Sequence, residues 1–175
     1  MAATLGVELL AEWLIYHHKE FAWMYHVFVV IEYGLLCAYF YRVVASRAWK
    51  KWIAWSIPVY AVVSIALSLY MYEPSDLPGQ NINIEGILVS VMCALVLFNL
   101  DSRLHANITH HPDFWICCGL LIFFAGTFFS NGIFSYLMSL DREQARKMFS
   151  MVNKPLNLIL YSCLIVGFIC AKLRK

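Results

Sequence analysis

The sequence predicts an all-α fold, a polytopic bundle of transmembrane helices, and three observations predict it. Hydrophobic residues make up 62% of the chain and charged residues only 14%, where an ordinary soluble domain carries about 25% charge. A core in a chain of 175 residues cannot enclose that much apolar surface, so lipid has to cover the remainder. The apolar residues fall in runs close to the ~20 that cross a ~30 Å hydrocarbon layer. Lys and Arg gather at the ends of those runs, as at membrane flanks.

Taken in order, six helices are expected in a single domain covering 1–175. The first, near 2–16, reads AATLGVELLAEWLIY and at ~1.5 Å per residue reaches only about 22 Å. The second, 21–45, is stopped by SRAWKK. The third, 52–72, contains Pro58, which should bend it, and ends in EPSDLPGQN, where two prolines and a glycine force a loop. The fourth, 84–101, has Asn83 placed to cap it. The fifth, 114–140, is opened by HHPDFW, where Pro112 and Asp113 suit a helix start. The sixth, 152–171, has Pro155 in its first turn and AKLRK closing it.

Alternating spans divide the cations unevenly. Arg42, Arg47, Lys50, Lys51, Arg103, Lys172, Arg174 and Lys175 fall on one side, eight against the five of Lys19, Arg142, Arg146, Lys147 and Lys154. The richer side is expected in the cytoplasm, which places the C-terminus there. No basic region precedes the first apolar run and acids interrupt it, which argues against a cleavable signal peptide. A net charge of +2 gives no footprint for nucleic acid.

A polar group at membrane depth has to face a bundle interior or water, so such groups are the best pointers to function. Glu8 and Glu12 stand four apart on one helical face; Tyr25, Glu32 and Tyr39 recur at sevens; Asn153, Asn157 and Tyr161 recur at fours; Asn99 and Asp101 close one span, and Asn131 lies inside another. The economical arrangement turns these stripes toward a common centre, making Glu8, Glu12, Tyr25, Glu32, Tyr39, Asn99, Asn131, Asn157 and Tyr161 the candidate ligand or proton sites. Each has a plainer reading. Glu8 and Glu12 sit near a terminus that water can wet, Glu32 can serve a structural hydrogen bond, and the asparagines can be interhelical glue. His26 reads as an interfacial histidine, and Trp23, Trp49, Trp52, Trp55 and Trp115 as an interfacial belt.

Small residues mark close helix approach: Gly119, Gly126 and Ser130 in the fifth segment, Ser64 and Ser68 in the third. The six cysteines lie in apolar runs without CxxC spacing and read as packing residues. His17 and His18 fall on the opposite membrane face from His105, His110 and His111, so the two loops cannot share an ion; His105, His110, His111 and Asp113 could form a cluster on the cytoplasmic side, but no metal or other cofactor is expected. The NIT at Asn107 falls on the expected cytoplasmic side, where glycosylation does not occur.

No glycine-rich phosphate loop, GxSxG, HExxH or kinase motif is present, and no deep lysine in the last span could form a retinal Schiff base. Catalysis is not expected, with a membrane enzyme working by carboxylates alone as the alternative. The strips HPDFWICCGLLIFFAGTFF, MYHVFVVIEYGLLCAYFYR and NKPLNLILYSCLIVGF resemble those of an uncharacterised seven-helix inner-membrane protein family of Bacteroidetes. The resemblance implies an outside N-terminus, an inside C-terminus, and a chain that begins within the family's second helix, a seven-helix fold lacking its first. It carries no activity.

Three functions fit. The first is a small-ligand or membrane-state sensor with a polar intramembrane pocket, signalling to a membrane or cytoplasmic protein partner. The second is a proton-coupled small-molecule transporter or carrier, and the third a structural subunit of a larger membrane complex. The lipid bilayer is the expected partner of all three.

Overall fold

The computed structural model describes residues 22–71, 79–103, 108–138 and 142–173. They form five long helices: α1 Ala22–Val43, α2 Arg47–Met71, α3 Gly79–Arg103, α4 Pro112–Met138 and α5 Arg142–Leu173, with a 3₁₀ turn Ile108–His110 ahead of α4. Each of the five is long and apolar enough to cross a membrane, so the chain is a multi-pass integral membrane protein of the all-α class. The helix count among the described residues is five rather than six. The segment expected near 2–16, with Glu8 and Glu12, lies outside them.

The helix ends differ from expectation for one physical reason: hydropathy marks the part of a helix that lipid covers, while the helix itself runs on into polar sequence. The third predicted segment begins at Arg47 rather than Trp52, absorbing most of SRAWKK. The fourth begins at Gly79, so Asn83 is an interior helical residue and not a cap. The last begins at Arg142 and is 32 residues long, about 48 Å at the α-helical rise. Pro155 therefore lies well inside it instead of in the first turn. Pro112 opens α4 with Asp113 in its first turn, as expected.

The chain divides into two compact units, Met1–Tyr41 with Ala45–Ile82, and Arg42–Val44 with Asn83–Lys175. In unit 1, His26 meets Ser68 and Cys37 meets Ser56, so α1 and α2 run antiparallel. The buried face of α1 is Val29, Tyr33, Cys37 and Phe40, one stripe at helical spacing, while Val27, Ile31 and Leu35 are exposed. The outer surface of α2 is apolar too, with Val59, Val62 and Leu69 uncovered. Such a surface is what hydrocarbon covers.

Unit 2 is joined by close approach. A Cβ built on Gly119 would stand 2.7 Å from the Cβ of Cys163, one on Gly126 would stand 2.6 Å from Leu156 Cδ2, and one on Gly167 would stand 2.9 Å from Ile116 Cγ1. α4 and α5 are thus antiparallel, with glycines contributed from both sides. The small-residue seam predicted for Gly119, Gly126 and Ser130 is present, and Ser130 is buried. In lipid, where the hydrophobic effect does not drive helices together, such contact supplies the dispersion attraction that does.

Candidate functional site

In unit 1 a chain of polar side chains runs along the α1–α2 seam to the first turn of α3. His26 Nδ1 lies 2.8 Å from Ser68 Oγ, and Asn81 Nδ2 donates to that same oxygen at 3.1 Å and to the Ser64 carbonyl at 3.3 Å. The Tyr60 hydroxyl donates to the Asn81 carbonyl at 3.0 Å, and its ring lies 4.3 Å, centroid to centroid, from that of Tyr33. The Tyr33 hydroxyl donates to Ser56 Oγ at 2.8 Å, and Ser56 donates onward to the Ile53 carbonyl at 2.8 Å. Cys37 Sγ completes this end, 3.8 Å from Ser56 Oγ.

Asn81 is the centre of the chain. The Ser64 carbonyl can only accept, so the amide nitrogen must face it, which fixes the amide's orientation. Its oxygen then points elsewhere. Asn81 and Ser64 are 0% and 1% exposed, and neither Asn81 Oδ1 nor Ser64 Oγ has a hydrogen-bond partner among the described residues. A buried oxygen in that condition costs about 1–3 kcal/mol.

Unit 2 holds a second polar group. Asn131 Nδ2 donates to Asn83 Oδ1 at 3.0 Å, tying α4 to α3. Glu85, 1% exposed, is the single acid in the span Gly79–Leu100. It sits in the buried stripe of α3 that continues through Val89, Cys93, Val96 and Leu100. Cys93 and Cys117 are both fully buried, and no disulfide forms among the six cysteines, which pack within the helices as expected.

Of the predicted site residues, Tyr25, Glu32 and Tyr39 belong to unit 1 and Asn99, Asn131, Asn157 and Tyr161 to unit 2. Glu8 and Glu12 lie outside the described residues, and the backbone of Tyr25 falls in the first turn of α1. Glu32 and Tyr39 are half-buried, about a quarter-turn from the buried stripe of α1 at ~100° per residue; the ring of Tyr39 packs edge-on against Phe40. Asn99 is exposed and donates back to the Leu95 carbonyl at 2.6 Å. Asn157 is half-buried and donates to the Asn153 carbonyl of its own helix at 3.1 Å, and Tyr161 is half-buried beside it on α5. The amide of Asn131 makes the interhelical hydrogen bond to Asn83 already described.

The residues that carry the unit 1 chain do not stand out in the sequence. His26, placed by its position at the interface, reaches Ser68, and Ser64 and Ser68, expected as spacers, are hydrogen-bonding groups. Asn81 lies ahead of the start expected for the fourth segment at 84, and Glu85 only one residue inside it. Their spacing of four residues was the available signal. Near α4, His111 Nδ1 stands 3.4 Å from Asp113 Oδ2 and Trp115 Nε1 donates to the Thr109 carbonyl at 2.7 Å. Among the described residues no three His, Cys, Asp or Glu side chains converge; His17, His18, His105 and Asn107 lie outside them.

No family model, curated protein or solved structure matches this chain.

Proposed function

We propose that the protein is a membrane-embedded sensor for a small polar ligand. The observation that carries this reading is Asn81: an amide buried at the edge of a membrane span, held by two donated hydrogen bonds, with its own oxygen and the Ser64 hydroxyl left to receive a partner. A donor arriving there gains a hydrogen bond in a low-dielectric setting where the protein has already met the cost of ordering the acceptor. Because Asn81 also bonds Ser68, and Ser68 bonds His26, occupancy is coupled to the contact between α1 and α2. The basic ends of the helices would carry the change to a membrane or cytoplasmic partner. The eight-to-five division of cations supports a cytoplasmic C-terminus, and the resemblance to the Bacteroidetes seven-helix family implies the same orientation and an inner (plasma) membrane.

The test is thermal unfolding of the purified protein in detergent against a pH series and a panel of small alcohols, amides and amines. A midpoint raised in the wild type and unmoved in Asn81→Leu supports the reading. A panel that leaves both midpoints fixed, or moves both alike, defeats it.

Glu85 favours a second reading, a proton-coupled carrier. A carboxyl enclosed in a membrane span is a proton site by chemistry and a functional position by cost. Proteoliposome uptake driven by a pH gradient and abolished in Glu85→Gln would select it; uptake indifferent to the gradient would remove it.

A further inference from the structure

We propose that the basic face at the start of α2 binds the headgroups of anionic phospholipids. Arg47, Lys50 and Lys51 stand at i, i+3 and i+4 and so share one face of the helix. Nothing nearby in the sequence offsets them. The first turn of α2 contains no acid, and from Tyr33 through Tyr72 the sequence has neither Asp nor Glu. Among the described residues none of the three has an ion-pair partner; Lys50 lies over the Tyr41 ring, 5.2 Å from its centroid.

The placement is electrostatically adverse unless an anion is present. The N-terminal end of a helix is its positive pole, where acids stabilise and cations do not. Three cations on that end add like charge to like. Local rules are broken in this way where a function compensates, and, with no acid paired to these cations among the described residues, a headgroup phosphate supplies a compensating negative charge.

Depth and surroundings identify the source. Arg47 opens the span Arg47–Tyr70, so the cations lie where a hydrocarbon layer gives way to headgroups. Trp52 and Trp55, one and two turns further in, are 72% and 71% exposed. Indoles so placed sit at the interface, apolar body in the acyl region and N–H toward the ester and phosphate oxygens. The Arg47 guanidinium offers the planar fork that matches a phosphodiester, and the two ammonium groups supply point charge beside it. The opposite end of α2 lacks this character: the connection 72–78 carries Glu73 and Asp76 and no Lys or Arg. Clusters of cations beside a span recognise anionic lipid by these means, and a soluble phosphate would make no use of the exposed indoles.

The experiment compares the full chain in nanodiscs of phosphatidylcholine alone and of phosphatidylcholine mixed with phosphatidylglycerol. Lipid retention is read by native mass spectrometry and the unfolding midpoint by heating. The wild type should retain phosphatidylglycerol selectively and unfold at higher temperature in its presence. The combined variant Arg47→Gln, Lys50→Gln, Lys51→Gln should lose roughly a hundredfold in selectivity, with an unchanged midpoint in phosphatidylcholine. The single variant Lys51→Gln, an exposed change, should show the same trend if the combined variant fails to fold. Lys172→Gln, at the end of α5, should have no effect. Equal retention by wild type and variants, or an equal loss in Lys172→Gln, overturns the proposal. Protection by inorganic phosphate in phosphatidylcholine matching that by phosphatidylglycerol also overturns it, by assigning the face to a free anion.

Discussion

In unit 1, α1 and α2 meet through side-chain hydrogen bonds: His26 with Ser68, Tyr33 with Ser56, and Cys37 with Ser56. In unit 2, α4 and α5 meet through absent side chains, with Gly119, Gly126 and Gly167 each leaving room that a Cβ would fill. Both pairings hold apolar helices together without help from the hydrophobic effect, which lipid cancels. Their consequences differ. A glycine seam is tight and has one geometry, so it favours a fixed contact. A hydrogen-bonded seam can exchange partners, since a hydroxyl both donates and accepts, so it favours a contact that responds to what is bound.

The difference can be broken from the glycine side first. Gly119→Ala should be the most damaging single change, costing about 2–3 kcal/mol by overpacking, because the added Cβ meets the fixed Cβ of Cys163. Cys163→Gly should rescue it and Cys163→Ala should not, as read by thermal unfolding in detergent. Gly126→Ala should cost nearer 1 kcal/mol, since its obstacle is the movable tip of Leu156.

On the hydrogen-bonded side the losses should be smaller. Asn81→Leu removes both amide donations, to Ser64 and Ser68, and should cost about 1–2 kcal/mol. Tyr33→Phe removes the bond to Ser56 and should cost about 1 kcal/mol; a neutral result in a urea or heat titration would mean that the hydroxyl finds an equal partner when unfolded. The smallest effect is expected at the Asn83–Asn131 pair. A double-mutant cycle with leucine at both positions should return a coupling near 0.6 kcal/mol, the value usual for polar pairs within membranes.

What the sequence reveals about each seam follows from the same physics. The glycine seam was legible because Gly119, Gly126 and Ser130 stand out on an otherwise bulky helix, and small residues so spaced are what lets a second helix come close. The buried stripe of α1, Val29, Tyr33, Cys37 and Phe40, was not legible. Tyr25, Glu32 and Tyr39 share the spacing of the true buried stripe, and Glu32 and Tyr39 lie a quarter-turn from it, because a helix apolar on every side gives no contrast between lipid and protein. Asn81 and Glu85 were hidden by a different cause: polar residues at the start of α3 lowered its hydropathy and moved the expected start to Ile84, beyond Asn81 and Asn83 and with Glu85 at the edge. Their burial depends on α3 extending back to Gly79, which capping signals did not announce.

The proposed sensing role rests on Asn81 being enclosed and hydrogen-bonded at membrane depth, and side-chain amide NMR of protein labelled with ¹⁵N-asparagine tests that most directly. The Asn81 amide protons should exchange slowly with solvent and resonate at well-separated shifts, in contrast to those of free asparagine in the same buffer. Asn81 protons that exchange as fast as those of the free amino acid, with the two amide signals close together, would contradict it.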